Sequence, residues 1–210
     1  VNWALNVIKE NGLDKAEGIE LEVVPLANKN ATNVALQGGA VDMIVSDWIW
    51  VSRQRAEDKK YTFAPYSLAV GALMARPDAG INGLGDLEGK NLGIAGGPVD
   101  KSWLLIRAYS QKTMNKDVAD MLQPNFAAPP LLNKLMSKGE LDAVLNFWHF
   151  NARLKAQGMQ EVISVDQILP ELGVKGKAPL LGWIFDETWA ADNKAAVEGF
   201  LRAARKASTM

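Results

Sequence analysis

Two stretches of this chain carry the same order of glycine, aspartate, apolar, polar and aromatic residues. Residues 39–53 align with residues 139–153 at a constant offset of 100, so that Trp48 matches Trp148. An indole ring can stack on a planar molecule or hold a cation over its face. The matched tryptophans therefore indicate binding chemistry, although for either one alone packing in a core is the alternative.

Polar residues follow the apolar run in both copies. Each copy predicts a buried strand, its carboxyl end and the start of a helix. In open α/β sheets, ligands bind beyond the carboxyl ends of the strands. We therefore predict that the two copies supply ligand-binding residues from these ends. The predicted residues are Ser46, Asp47 and Trp48 in the first copy, and Asn146, Trp148 and His149 in the second.

A glycine-rich turn at residues 96–103 follows a further apolar run and opens a predicted helix. Glycine lets the backbone approach a ligand closely, and free N–H groups at a helix start favour an anionic or acceptor group. We expect Lys101 to add a mobile positive charge and Trp103 a flat face. A simple strand-to-helix connection is the alternative. The predicted binding residues of this turn are Gly97, Asp100, Lys101 and Ser102.

Two other tryptophans are assigned by position. A predicted helix at residues 2–10 comes before the first predicted strand, which suggests that a preceding strand is missing and that Trp3 lies at its tip. Anchoring of the first helical turn explains Trp3 equally well. Trp48 and Trp50 diverge by roughly 200° on a regular helix. We therefore predict that Trp48 faces the ligand and that Trp50 packs in the core.

Composition excludes several classes of site. The 210 residues include no cysteine and one histidine, His149, which excludes thiol chemistry and disfavours a histidine-rich metal site. A net charge of -1 gives no electrostatic footprint for nucleic acid. The apolar runs are too short to cross a bilayer. We predict no cofactor, no metal and no nucleic-acid partner.

Strand and helix patterns alternate along the chain, which predicts an α/β fold. The runs at 66–76 and 180–185 would be strands that cross between two lobes. This predicts a discontinuous first lobe, residues 1–74 and 182–210, and a second lobe, residues 75–181. Predicted strands lie at 19–24, 41–45, 66–76, 91–95, 124–127, 142–146, 159–164 and 180–185. Predicted helices lie at 2–10, 28–37, 48–57, 100–112 and 129–138, with a last one after Asn193 that would pack on the first lobe.

This pattern resembles the periplasmic substrate-binding proteins of ABC importers, in the branch that binds nitrate, sulfonates, taurine and thiamine precursors. The resemblance covers essentially the whole chain, although the first strand and the export signal of that family would lie upstream. It implies a type II fold with two Rossmann-like lobes around a central cleft. The cleft would be lined by Ser46 and Asp47, by the turn at 97–102 and by Trp148. The family often has Trp-Asp-Pro where this chain has tryptophan, histidine and phenylalanine.

The resemblance implies a periplasmic, or extracellular and membrane-tethered, receptor that captures a small molecule and delivers it to an ABC permease. We expect a monomer. A heteroaromatic ligand ranks first, because it suits both Asp47 and the tryptophans, and an organic anion ranks second, because Lys101 would attract it. The alternative is an enzyme on the same fold, such as a pyrimidine synthase or a menaquinone-pathway dehydratase, with Asp47 or His149 as the base. A sensor or partner-binding module is a third option.

Overall fold

The computed structural model of the chain describes residues 2–210. Helices and strands alternate along most of the chain, with short 3-10 turns at Leu84–Leu87 and Val118–Asp120. The helices are α1 (Trp3–Glu10), α2 (Leu13–Ala16), α3 (Lys29–Gln37), α4 (Trp48–Arg55), α5 (Lys101–Met114), α6 (Pro129–Ser137), α7 (Trp148–Ala156), α8 (Val165–Glu171), α9 (Glu187–Asp192) and α10 (Lys194–Ala207). The strands are β1 (Met43–Asp47), β2 (Tyr61–Ser67), β3 (Ala72–Ala75), β4 (Leu92–Ala95), β5 (Pro124–Ala127), β6 (Ala143–Asn146), β7 (Gln160–Ser164) and β8 (Leu181–Asp186). In residues 2–210 no helix is both long and apolar enough to cross a membrane.

The chain divides into two compact units. One consists of Val1–Ser46, Val51–Ala64 and Trp183–Met210, and the other of Asp47–Trp50 and Pro65–Gly182. A three-stranded sheet has the order β1-β8-β2, and a five-stranded sheet has the order β5-β4-β6-β3-β7.

The last helix, α10, packs within the first unit as predicted. It contacts α1 and α2, and its buried face includes Val197, Phe200 and Ala204. The Phe200 ring meets the Trp183 ring edge to face, with centroids 4.8 Å apart. Glu17 accepts hydrogen bonds of 2.6 Å from both Arg202 and Lys206. An apolar stripe and two ion pairs to Glu17 thus fix this helix.

The second unit has a sheet with a helical layer on each face. Strands β5, β4 and β6 are parallel, while β3 runs antiparallel to both β6 and β7. One face carries Leu73, Ile94 and Leu145, which pack with Trp103 and Ile106 of α5 and with Ile168 of α8. The opposite face packs against α6 and α7; its buried residues include Ala72, Met74, Val144, Leu132, Met136 and Leu154. Alternation of side chains along each strand produces these two faces.

The predicted strand at residues 19–24 is wrong. The segment has no regular secondary structure, and Val23 and Val24 are exposed. Side chains bind its backbone: the Leu21 N–H donates to the Asp14 carboxylate at 3.1 Å, and the Leu21 carbonyl accepts from Lys9 at 2.8 Å. Apolar composition alone does not make a strand, because a strand needs a neighbour that completes its hydrogen-bond ladder.

The predicted single strand at residues 66–76 is also wrong. Strand β2 ends at Ser67 and β3 begins at Ala72, and the two belong to different sheets. The Ser67 hydroxyl oxygen accepts the N–H of Ala69 at 3.0 Å, which closes a local turn at the break. A serine or threonine hydroxyl that bonds to the nearby backbone competes with ladder formation.

Candidate ligand-binding site

The glycine-rich turn folds around a buried carboxylate. Gly96 and Gly97 have φ angles of 86° and 89°, a region that side chains other than glycine rarely adopt. A Cβ atom on Gly96 would lie 2.5 Å from Asp100 Oδ2. Asp100 is the N-cap of α5, where its Oδ1 accepts the N–H of Ser102 at 2.9 Å. These glycines therefore allow the turn to wrap the capping carboxylate closely.

Lys101 is not the mobile surface charge that the sequence suggested. Its side chain is 5% exposed, and its Nζ lies 5.3 Å from the centroid of the Phe147 ring. This cation–π contact joins the start of α5 to the end of β6. The residue is held because it begins a helix whose first turn is buried.

Trp103 offers no flat face to a ligand, which corrects a second expectation. It is 2% exposed and meets the Phe126 ring edge to face, with centroids 6.4 Å apart. One residue earlier, Ser102 is also 2% exposed, and its hydroxyl oxygen has no hydrogen-bond partner in residues 2–210. A buried hydroxyl without a partner costs free energy, which a bound molecule can recover.

At the end of β6, the Asn146 side chain forms hydrogen bonds with neighbouring protein groups. Its Nδ2 donates to Asn133 Oδ1 at 2.9 Å and to the Pro129 carbonyl at 3.2 Å, and its Oδ1 accepts the N–H of Phe147 at 2.8 Å. Gly71 packs directly on this turn, because a Cβ there would lie 2.1 Å from the Asn146 carbonyl oxygen. Asn133 and Gly71 were missed from the sequence. The offset of 100 that pairs Asn33 with Asn133 is a signal that could have revealed Asn133.

Trp148 and His149 begin α7 and remain accessible. Trp148 is 47% exposed, and its ring centroid lies 5.3 Å from that of His149. Partial desolvation, together with the nearby positive charge of Arg153, lowers the pKa of His149 below its ordinary value. The imidazole is therefore neutral at pH 7, with one nitrogen able to donate and the other able to accept.

Strand pairing places these two segments at one edge of the five-stranded sheet. Because β4 and β6 are parallel and Ile94 is paired with Leu145, the glycine-rich turn and the end of β6 leave the sheet side by side. The structure thus groups seven of the predicted residues at the carboxyl ends of β4 and β6. They are Gly97, Asp100, Lys101, Ser102, Asn146, Trp148 and His149.

The four other predicted residues come from the first copy and the chain start. Ser46 is 1% exposed, and its hydroxyl has no partner in residues 2–210. Asp47 is buried and accepts the N–H of Trp50 at 2.8 Å, which caps α4. Trp48 is 37% exposed and Trp3 is 73% exposed, whereas Trp50 is buried.

The chemistry of the second unit's group suits binding of an uncharged or weakly anionic polar molecule. The helix start favours an acceptor group, but the Asp100 carboxylate offsets the charge of Lys101. The described part of the chain holds no group of three or more potential metal ligands. Recognition would therefore come from an open ring face, a hydroxyl and a neutral imidazole.

Comparison with known proteins gives a family and several solved relatives. The model of a family described as NMT1/THI5 like matches residues 4–210. No curated protein matches the chain. The chain is similar to the periplasmic aliphatic sulphonate binding protein SsuA from Escherichia coli, with a TM-score of 0.72 and 18% identity over 98% of this chain and 65% of that one.

Two further structures support the same fold. The alkanesulfonate-binding protein SsuA from Xanthomonas axonopodis pv. citri, bound to MOPS, has a TM-score of 0.78 and 14% identity over 97% of this chain and 68% of that one. A histidine kinase sensor domain similar to periplasmic binding proteins has a TM-score of 0.65 and 18% identity over all of this chain and 83% of that one. These likenesses confirm the predicted type II periplasmic-binding-protein fold. The chain spans about two thirds of the length of the two sulfonate-binding relatives.

Proposed function

Because this chain belongs to the NMT1/THI5-like family, whose model covers residues 4–210, we propose that it is an extracytoplasmic solute-binding protein of an ABC importer. It captures a small organic molecule and delivers that molecule to a membrane permease. The periplasm, or the outer face of the cell membrane, is its proposed location. The relatives of this fold that are named as binding proteins support the proposal.

The observation that carries the proposal is the buried hydroxyl of Ser102 in the first turn of α5, which has no hydrogen-bond partner among residues 2–210. It lies at the same edge of the sheet as the exposed ring of Trp148 and next to Lys101, which is held against Phe147. An exposed aromatic residue beside a hydroxyl without a partner in residues 2–210 is typical of a small-molecule site. No reaction is needed to explain it.

A heteroaromatic solute is the ligand class that we propose first. Asp100 and Lys101 carry opposite charges at the start of α5, so a full anion gains less there than at a helix start with lysine alone. A planar ring with N–H groups can stack on Trp148 and bond to the neutral His149. An organic anion ranks second, and we propose ligand contacts from Trp3, Ser46, Asp47 and Trp48 for either class.

These contacts are sufficient for physiological affinity. Micromolar binding needs about 8 kcal/mol. A stacked ring contributes about 0.5 to 1.5 kcal/mol beyond its buried area, and a charge-assisted hydrogen bond contributes about 1.5 to 3 kcal/mol. Two ring faces with two or three polar contacts therefore supply enough free energy for micromolar binding of a solute.

Native mass spectrometry of the purified protein tests the proposal. We expect a small molecule to co-purify at one copy per chain, and to be recovered chemically unchanged after incubation with the protein. The same molecule should quench tryptophan fluorescence and raise the melting temperature. Conversion of the molecule during incubation would instead identify an enzyme on this fold.

A further inference from the structure

A groove on the second unit, beside α7, carries chemistry that the proposed site does not use. Its volume is about 440 Å³, which is within the range of small-molecule pockets. The lining includes Trp148, Asn151 and Lys155 of α7, Glu161 of β7, Asp166 of α8 and the start of β3. Of the residues proposed to bind the transported solute, Trp148 alone lines it.

The charges of this groove leave one carboxylate in excess. Lys155 Nζ lies 2.6 Å from Glu161 Oε2, so these two charges neutralise each other. Asp166 accepts a hydrogen bond from the Ser164 hydroxyl, which is a neutral donor. The remaining negative charge favours a cation over an anion.

The groove also contains one hydrogen-bonding group that the protein does not use, on Asn151. The Nδ2 of Asn151 donates to the Asn146 carbonyl at 3.0 Å and to the Ala72 carbonyl at 3.1 Å, and these two bonds fix the orientation of the amide. Its Oδ1 is buried and has no partner within residues 2–210. The unused group is therefore an acceptor, which needs a donor from a bound molecule or water.

The aromatic residue that lines the groove is Trp148. This residue is 47% exposed. The electron-rich face of an indole attracts ammonium groups more strongly than any other side-chain ring does. The aromatic residue and the excess carboxylate favour a cation, and the unused acceptor favours a molecule that also carries a hydrogen-bond donor.

We propose that this groove binds a small organic ammonium, at a place that shares only Trp148 with the residues proposed to bind the transported solute. The Trp148 ring and Asp166 provide the attraction, and the Lys155–Glu161 pair closes one side. Binding here requires neither the glycine-rich turn nor Ser102. Its failure would thus leave the proposed transport function standing.

Calorimetric titration with choline tests this inference, with 3,3-dimethyl-1-butanol as the control ligand because it has the same shape without the charge. We expect choline to bind saturably and about tenfold more tightly than the neutral alcohol, from the cation–π attraction. Amide resonances of Trp148, Asn151 and Asp166 should shift during the same titration followed by NMR.

Asp166→Asn should weaken choline binding about two- to fivefold, as expected for an accessible charge pair. The matched control is Asp120→Asn, an exposed carboxylate of the same unit outside the groove, which should leave the affinity unchanged. Circular dichroism establishes that both variants fold. Equal affinity for choline and the alcohol, absence of saturable binding, or equal effects of the two substitutions would overturn the inference.

Discussion

The two copies of the repeated segment have the same backbone pattern but stabilise their strand ends differently. In the second copy, Asn133 and Asn146 share a hydrogen bond of 2.9 Å. The matching pair in the first copy is Asn33 and Ser46, whose Oδ1 and Oγ atoms are both buried without a partner in residues 2–210. Serine is one bond shorter than asparagine, so the same backbone does not bring the two groups together.

A second difference lies at the next position along the chain. Asp47 caps α4 by accepting the N–H of Trp50, whereas Phe147 has no capping side chain and instead lies under Lys101. In the second copy the residue that ends the strand, Asn146, is fully hydrogen-bonded, whereas its match in the first copy, Ser46, has a hydroxyl without a partner in residues 2–210.

The two tryptophans of opposite exposure give the largest expected difference. Trp50→Ala removes a buried ring and should lower the free energy of unfolding by about 3 to 5 kcal/mol. Trp148→Ala removes a ring that is 47% exposed, so it should abolish solute binding while leaving the fold intact. Chemical denaturation and calorimetric titration measure both effects. Loss of binding without loss of stability in Trp50→Ala would reverse the assignment of the two rings.

The matched residues Asn133 and Asn33 give the next largest expected difference in stability. Asn133→Ala removes the acceptor of Asn146 and leaves a buried donor poorly satisfied, which should lower the free energy of unfolding by about 1 to 3 kcal/mol. Asn33→Ala, the matched change in the first copy, removes an oxygen that has no partner and should cost less. Equal losses in urea denaturation would show that the copies do not differ in the way we describe.

Substitutions of three serines distinguish residues that contact the ligand from residues that stabilise the fold. Ser46→Ala and Ser102→Ala remove hydroxyls that have no partner in the described chain, residues 2–210, so the free energy of unfolding should change by less than about 1 kcal/mol while solute affinity falls. Ser110 is the control on α5, because its hydroxyl donates to the Arg107 carbonyl and accepts the N–H of Val118. Ser110→Ala should lower the melting temperature and leave affinity unchanged. The opposite pattern in calorimetry would remove Ser46 and Ser102 from the site.

The smallest expected effect concerns acid stability in the first unit. A hydrogen bond from Lys9, followed by one from the Leu21 N–H, lowers the pKa of Asp14 from 3.8 to about 2. A lowered folded-state pKa stabilises the fold above the unfolded-state value, and this stabilisation is lost as pH falls from 3.8 towards 2.

Asp14→Asn should flatten that part of the stability profile, as measured by denaturation at a series of pH values. In the second unit, Arg107 lowers the pKa of Asp117, so Asp117→Asn should flatten an acidic part of the profile too. An unchanged slope in the Asp14 variant would show that this carboxylate does not contribute.

The sequence predicted what depends on local pattern. The offset of 100 residues located β1 and β6 with the helices that follow them, and the helix predicted at residues 28–37 matches α3. It failed where tertiary contacts decide. The run at 19–24 has no strand neighbour, and Lys101 and Trp103 follow a turn that buries both of them. Asn133 was missed because its role depends on Asn146, thirteen residues away and on another element.

The most direct test of the proposed function is calorimetric titration of the co-purified solute against wild type, Trp48→Ala and Trp148→Ala. If both copies of the repeat contact one ligand, each substitution alone should reduce affinity by at least about tenfold, which corresponds to about 1.4 kcal/mol. Wild-type affinity in either variant would contradict a site shared by the two copies.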